Sequence, residues 1–398
     1  MKIVIINSGS SSIKYQLIDM PTQEVICSGM IDRIGLDTSN FTYKTNKDSI
    51  EEILAIPNHK VGLEKISTLL LDEKVGVIKS TAEIEAVGHR VVHGGASFSD
   101  TVLITEEVKE KIKQLFELAP LHNPANLEGI VVAEEVFPSA KQVAVFDTAF
   151  HQTMHEVAYK YAIPNYLLTE NKIRAYGFHG TSHKYVSEKA INYLESVNSL
   201  HTNIITIHLG NGCSITAVKD GKSVDHSMGF GPMNGLIMGT RSGDIDQSVI
   251  FYMVNTLGYQ LNEVNTVLNK QSGMLGITGY SDLRDIEANA EKGDLNCQLA
   301  LDMNVYRIKK YIGAYAAAMN GVDAIVFTAG IGENSSYIRK SVCKDMEFLG
   351  IELDEAKNEI RSKEIREINT VNSKTKVLVV PTNEELEIAN QVYDLILK

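Results

Sequence analysis

The stretch that decides the fold is Lys2-Ile3-Val4-Ile5-Ile6-Asn7-Ser8-Gly9-Ser10-Ser11-Ser12-Ile13-Lys14-Tyr15-Gln16-Leu17-Ile18-Asp19. Ile3 to Ile6 is a continuous apolar run of strand length. A turn of Asn, Gly and Ser follows. Ile13, Tyr15 and Leu17 then alternate with polar residues at period two, which predicts a second strand. The unit is a strand, a glycine- and serine-rich hairpin and a strand, with Lys14 just inside the second strand. Such a tip offers backbone N–H groups, hydroxyls and one ammonium to an anion such as a phosphate. An ordinary polar turn would read the same way, so the rest of the chain has to decide.

The opening pattern returns in mid-chain. Asn203-Ile204-Ile205-Thr206-Ile207-His208-Leu209-Gly210-Asn211-Gly212-Cys213-Ser214-Ile215-Thr216-Ala217-Val218 is again strand, turn and strand. Aligning Ile6 with Ile207 puts Asn7 over His208, Gly9 over Gly210 and Ser10 over Asn211, with the second turn expected to be one residue longer. A duplication of this kind predicts two domains built on related units, and a ligand held by both hairpins would lie between them. A third strand-to-loop signal is Ala324-Ile325-Val326-Phe327-Thr328-Ala329-Gly330-Ile331-Gly332-Glu333-Asn334. Its glycines would let a ligand approach the backbone. It is not the dinucleotide fingerprint, because Ser335 stands where the third glycine belongs.

Between these stretches, strands and helices alternate, which predicts an α/β architecture. The residues from His59 to Leu71 read as a helix, and Val87 to Val92 as a strand ending at Gly94-Gly95. Thr105 is placed to cap a helix whose first turn carries Glu106 and Glu107. Asn126 to Val136 reads as a further helix, and Val143 to Phe146 as a buried strand with Asp147 at its C-terminal end. Val377 to Val380 is a last strand. Pro381-Thr382-Asn383-Glu384 then opens a helix with Leu386, Ala389, Val392, Tyr393 and Ile396 on its expected apolar face.

Composition excludes several classes. A chain of 398 residues predicts two or three domains. A hydrophobic share of 44% with 22% charged residues is that of a soluble protein with a large core. The formal net charge of -12 argues against nucleic acid or an anionic membrane as partner. An anionic substrate would need locally placed Arg, Lys or His. Cys27, Cys213, Cys297 and Cys343 form no CxxC pair, which points to free thiols in a reducing compartment. The start is too short for a signal peptide and no run reaches transmembrane length, so a cytoplasmic location is expected.

Local chemistry narrows the choice further. Gly221-Lys222-Ser223 supplies the end of a Walker loop, but position 216 is Thr rather than Gly, and Asp220-Gly221 reads as a hairpin turn. Two histidine pairs, His89/His93 and His179/His183, have i,i+4 spacing. The first lies in a strand-like run, where residues four apart are about 13 Å apart, and the second straddles a turn, so zinc is not expected. Arg90 and Arg241 each lie near glycines and could present a guanidinium fork to a carboxylate or phosphate, or else form a structural ion pair. Asp147 and Glu384 could hold magnesium, or else serve turn and cap chemistry. Spacing alone reaches a phosphate-handling α/β protein.

The motifs taken together go further. Asn7-Ser8-Gly9-Ser10-Ser11-Ser12-Ile13-Lys14 and Gly177-Phe178-His179-Gly180-Thr181-Ser182-His183 resemble the signatures of the acetokinase family. His89 to Gly95, Phe146 to His151, His208 to Gly212, Gly239 to Asp244, Phe327 to Asn334 and Pro381 to Glu385 match it as well, collinearly. The resemblance implies two ribonuclease-H-like domains of the actin-like ATPase type with a nucleotide cleft between them. Their expected bounds are 1–150 plus 384–398, and 151–383. It implies reversible transfer of the ATP γ-phosphoryl to acetate, with magnesium or alternatively manganese, in a homodimer.

By position, the resemblance assigns Arg90 and Arg241 to acetate and the transferring phosphoryl, and His179 to the transition state. Asp147 and Glu384 would place the metal, with Asn7 beside it. Ser10, Ser12, Lys14, His208, Leu209, Gly210, Asn211 and Gly212 would follow the phosphates. Asp282, Leu283, Arg284, Gly330, Ile331, Gly332, Glu333 and Asn334 would face the adenosine. Val92, Leu121, Phe178 and Pro232 would enclose the acetate methyl. Ala96, Gly231, Asn234 and Ile237 depart from the usual family residues, which bears on acyl preference. A propionate kinase of the same family and an actin-like ATPase switch are the competing expectations.

Overall fold

Strands β1 (Lys2–Ser8) and β2 (Ser12–Asp19) pair antiparallel, with Asn7 opposite Lys14 and Ser8 opposite Ile13. The computed structural model describes residues 1–197 and 202–398. In it the chain forms two units, Met1–Phe150 with Asn383–Lys398, and His151–Thr382. No helix among the described residues is long and apolar enough to cross a membrane.

In the first unit β3 (Glu24–Asp32), β4 (Ser39–Thr45) and β5 (Ser49–Leu54) continue the antiparallel meander. β6 (Ile84–Val91) joins β1 in parallel, β8 (Lys141–Phe146) joins β6 in parallel, and the short β7 (Val102–Leu103) closes the far edge. The order is β5-β4-β3-β2-β1-β6-β8-β7. Both faces are covered, as the apolar run of β1 requires. Val4 and Ile6 pack with Leu63, Ile66 and Leu70 of the helix His59–Leu70 on one face. Ile3 and Ile5 pack with Ile388, Ala389 and Val392 of the helix Glu384–Leu397 on the other. Thr105 caps the helix Glu106–Gln114, its side chain accepting from the Val108 N–H at 3.3 Å.

The C-terminal helix keeps Ala389, Val392, Tyr393 and Ile396 of its expected apolar face and departs from it at Leu386. Leu386 is only partly buried, whereas Glu385 and Glu387 are buried beside Ile388, Ala389 and Val392. A polar partner in the same unit accounts for Glu385, whose carboxylate meets Lys14 Nζ at 2.5 Å. The helix starts at Glu384 because the Asn383 side chain accepts from the Leu386 N–H at 3.0 Å.

In the second unit β9 (Asn203–Leu209), β10 (Cys213–Lys219) and β11 (Lys222–His226) form an antiparallel meander. β12 (Ala324–Thr328) and β14 (Lys376–Val379) extend it in parallel from β9, and β13 (Arg366–Glu367) pairs with β14. The order β11-β10-β9-β12-β14 repeats β3-β2-β1-β6-β8, with the same alternation of antiparallel and parallel pairs. The internal repeat therefore extends from the hairpin to the whole central sheet. One detail of the alignment changes. Ser8 faces Ile13 across four turn residues, but Leu209 faces Cys213 across three, so the second turn is one residue shorter, not longer. In the first turn the Gly9 N–H reaches the Ser12 carbonyl at 2.8 Å, while Gly210 reaches Gly212 within a tighter loop, at 3.2 Å. The position matching Lys14 is therefore Ser214.

Candidate active site

In the first unit the candidate residues gather at the C-terminal ends of β1, β6 and β8. Arg90 on β6 donates from Nε to Asp147 Oδ1 at 3.1 Å and from Nη2 to Asp147 Oδ2, a two-pronged pair. Its Nη1 donates to Asn7 Oδ1 at 3.3 Å. Asp147 follows β8 directly, held by its N–H on the Val91 carbonyl at 3.0 Å. Burial opposes the charge on Arg90, but the facing Asp147 and Glu384 outweigh it and hold the guanidinium firmly protonated. The Glu384 carboxyl is pushed up, first by burial and then by Asp147 and Glu385, against the pull of Arg90 and Lys14. Ser10 and Lys14 are exposed at the hairpin, and Ser12 is partly exposed. Val92 is buried and Leu121 is exposed.

In the second unit His179 is the N-cap of the helix Gly180–Ser196, with φ of 54°. That left-handed backbone is unusual for a residue with a Cβ and is found where a site fixes it. Its ring stacks on His208 of β9 with centroids 4.5 Å apart. Its Nδ1 meets Ser214 Oγ at 2.9 Å. Arg241 donates from Nη1 to the Pro232 carbonyl at 2.9 Å, and burial lowers its pKa. A Cβ placed on Gly212 would lie 3.3 Å from His179 Nε2 and 3.9 Å from Arg241 Nη1. The imidazole and the guanidinium therefore converge on one bare stretch of backbone. Phe178 is buried, and its carbonyl meets His151 Nε2 at 2.9 Å.

The same unit holds a cavity of about 750 Å³. Gly210, Asn211, Gly330, Ile331 and Asn334 line it, as do Asp282, Leu283 and Arg284. Asp282 caps the helix Leu283–Glu291 and accepts from the Arg284 N–H at 2.9 Å, and the Arg284 side chain lowers its pKa to about 2. Gly239 lines the cavity too, and a Cβ there would sit 2.0 Å from Asn211 Oδ1, so a side chain there would push the Asn211 side chain aside. Leu209, Gly332 and Glu333 are placed behind this surface. Leu209 is core, and the carbonyls of Gly332 and Glu333 each accept from Arg339 Nη1 at 3.0 Å. The Glu333 carboxylate accepts from the Thr382 N–H at 3.0 Å.

Several supporting residues carry no local sequence signal. Asn126 accepts from the Val92 N–H at 3.0 Å and donates to the Ser8 carbonyl at 2.7 Å, tying the ends of β1 and β6 together. Asn123 clamps His93 through its N–H and carbonyl in the same way. Glu287, Asn304 and Arg361 line the cavity without having been singled out. Asn123 and Asn126 bond backbone groups 30 to 118 positions away, so periodicity and motif spacing do not find them. Burial pushes the Glu287 carboxyl up, and the Ser335 hydroxyl donates to it at 2.5 Å.

Two sheets of one topology, strand-end polar sets and a cavity among glycine turns define a phosphotransferase of the acetate-and-sugar-kinase/actin class. Within that class the chain belongs to the acetokinase family, whose model matches residues 2–390. The acetate kinase of Flavobacterium johnsoniae is 73% identical over 396 residues, covering 100% of both chains. The acetate kinase of Acetivibrio thermocellus is 53% identical over 399 residues, covering 100% of this chain and 99% of its own. The crystal structure of Porphyromonas gingivalis acetate kinase superposes with a TM-score of 0.94 at 47% identity, covering 99% of each chain. A propionate kinase from Francisella tularensis gives 0.91 at 44% identity, covering 98% of each.

Proposed function

We propose that this chain is an acetate kinase. A carboxylate oxygen of acetate attacks the γ-phosphorus of ATP, the bond from that phosphorus to the β-phosphate bridging oxygen breaks, and acetyl phosphate and ADP leave. Acetate is ionised at neutral pH, so no strong base is required. Such a transfer asks for positioning and charge compensation rather than a covalent nucleophile. The observation that carries the reading is the convergence of His179 and Arg241 on Gly212. Those donors would act where charge develops on the phosphoryl oxygens. Arg90, held by Asp147 and Asn7, would present its remaining guanidinium edge to the acyl or phosphoryl oxygens.

ATP would occupy the cavity of the second unit, its phosphates along Gly210 and Asn211. In the first unit, Ser10, Ser12 and Lys14 present hydroxyls and an ammonium suited to phosphate oxygens. Val92 and Leu121 of the first unit, and separately Phe178 and Pro232 of the second, are the residues proposed to bear on acyl size. The first unit also fits a divalent cation. Burial, with the neighbouring Asp147 and Glu385 carboxylates, keeps the Glu384 carboxyl raised, and a cation beside them would offset that negative charge. Magnesium prefers few carboxylates together with water and phosphate oxygens. Asp147 and Glu384 would hold it with Asn7 nearby, and it would neutralise phosphate charge.

A homodimer is the matching assembly. The helix Gln247–Asn255 buries none of its side chains, and Val249, Phe251 and Tyr252 stand exposed on it. Four free, buried cysteines suit a reducing cytoplasm. The test of acyl preference is kcat/KM for acetate, propionate and butyrate, with ATP and magnesium, read as acyl hydroxamate. Acetate should lead propionate by roughly tenfold, the discrimination one methylene supplies. A lead for propionate would assign the chain to the other acyl group.

A further inference from the structure

Behind His179 runs a buried chain of hydrogen bonds that its role in phosphoryl transfer does not by itself explain. His179 Nδ1 meets Ser214 Oγ at 2.9 Å. The same oxygen meets His183 Nε2 at 2.7 Å. His183 Nδ1 meets Thr206 Oγ1 at 2.7 Å. Ser214, His183 and Thr206 are all fully buried. Three elements contribute: β9 supplies Thr206, β10 supplies Ser214, and the helix Gly180–Ser196 supplies His183.

We propose that Ser214, His183 and Thr206 are positioning residues that fix which imidazole nitrogen of His179 carries the proton. The inference rests on the reading that His179 faces the transferring phosphoryl. A serine hydroxyl has one proton, so Ser214 donates to one ring and accepts from the other. A phosphoryl oxygen accepts, so the outer nitrogen of His179, Nε2, has to donate. A neutral His179 ring then accepts at Nδ1, and Ser214 donates to it. Ser214 must in turn accept from His183 Nε2–H. His183 then accepts at Nδ1 from the Thr206 hydroxyl. One requirement at the reacting end sets every proton along the chain.

The surroundings keep His183 neutral, as this pattern needs. Burial is the main cause, and the nearby imidazoles of His151, His208 and His179 add to it. The His183 ring is met edge-on by His226 at 5.2 Å and by His151 at 5.9 Å. On the other side, His179 faces His208 from β9 and the Arg241 guanidinium beyond Gly212. Around His183 an extra proton is disfavoured, so its tautomer matters more than its charge.

The test is nitrogen-15 NMR of the imidazoles in the full-length protein, with steady-state kinetics of the same variants. The wild type should show His179 as the Nε2–H tautomer. Ser214→Ala should mix the two tautomers, displace the pH limb of kcat and lower kcat by about tenfold to a hundredfold. KM for ATP and acetate should stay within about twofold. Thr206→Val replaces the distal hydroxyl by a methyl of the same shape and should act in the same direction, with Thr206→Ser restoring the wild-type profile. A wild-type His179 protonated on Nδ1 would overturn the proposal, and so would a Ser214→Ala protein with unchanged tautomer and pH profile. Should His179→Ala retain full turnover, the reading of His179 itself fails, an outcome distinct from either.

Discussion

Arg90 grips Asp147 with two nitrogens, Nε and Nη2, across the neighbouring parallel strands β6 and β8. The pair joins two neighbouring strand ends. It leaves Nη1 on Asn7 Oδ1, so one guanidinium ties the ends of β1, β6 and β8. A planar fork can do this and a single ammonium cannot. Arg90→Lys should therefore retain the charge, lose the bridge and reduce kcat by about a hundredfold or more. Arg90→Ala should also destabilise the protein, by about 3 kcal/mol, because the Asp147 carboxylate stays buried without the fork. Urea unfolding midpoints of the two variants measure the difference.

Arg241 has a lighter structural duty. Its hydrogen bond to the Pro232 carbonyl contributes about 1.5 kcal/mol. Arg241→Ala should keep its circular dichroism and melting behaviour close to wild type while kcat drops by about 10²–10³-fold. Near-normal turnover in the folded variant would remove Arg241 from the site.

Gly239 is predicted to matter through space alone. Its N–H bonds the Asn211 carbonyl at 3.0 Å, and a methyl there would overlap the Asn211 side chain. Gly239→Ala should displace the Gly210–Gly212 turn at a cost of about 1–3 kcal/mol. The expected signature is a raised KM for ATP with KM for acetate little changed, measured with each substrate varied in turn.

Two histidines of the first unit set an acid limit. Burial lowers the pKa of His89 and of His93 to about 4, and the Gln142 side chain at 2.8 Å only partly offsets this for His89. Their folded pKa lies below the unfolded value of about 6.5, so the unfolded chain binds more protons between those limits. Stability should be full above about pH 6.5 and fall as the pH drops toward 4, by on the order of 3 kcal/mol for each histidine. Thermal melts across that window check it, and His89→Gln should flatten part of the slope.

Local features were legible in the sequence. The two hairpins, the Thr105 cap, the Asp220-Gly221 turn and Asp147 at a strand end all follow from residues within a few positions of one another. The paired topology of the sheets was visible only at its hairpins, because the parallel neighbours β6 and β12 join across long connections. Lys14 and Glu385 form an ion pair at 2.5 Å, yet nothing local links them. The same holds for Asn126 with Ser8 and for His179 with Ser214. Glu385 reads as a solvated residue on an amphipathic helix until its partner is known. The count of turn residues failed for a physical reason, since Gly210 and Gly212 permit a tighter return than Gly9 and its serines.

The central claim is direct phosphoryl transfer to acetate by the Arg90, His179 and Arg241 set. Phosphorus-31 NMR of the purified protein with ATP, magnesium and acetate tests it most directly. Acetyl phosphate and ADP should appear in equal amounts, only when acetate is present, and should form about 10²–10³-fold more slowly with Arg241→Ala. ADP and inorganic phosphate formed at the same rate with or without acetate, and no acyl phosphate, would contradict it.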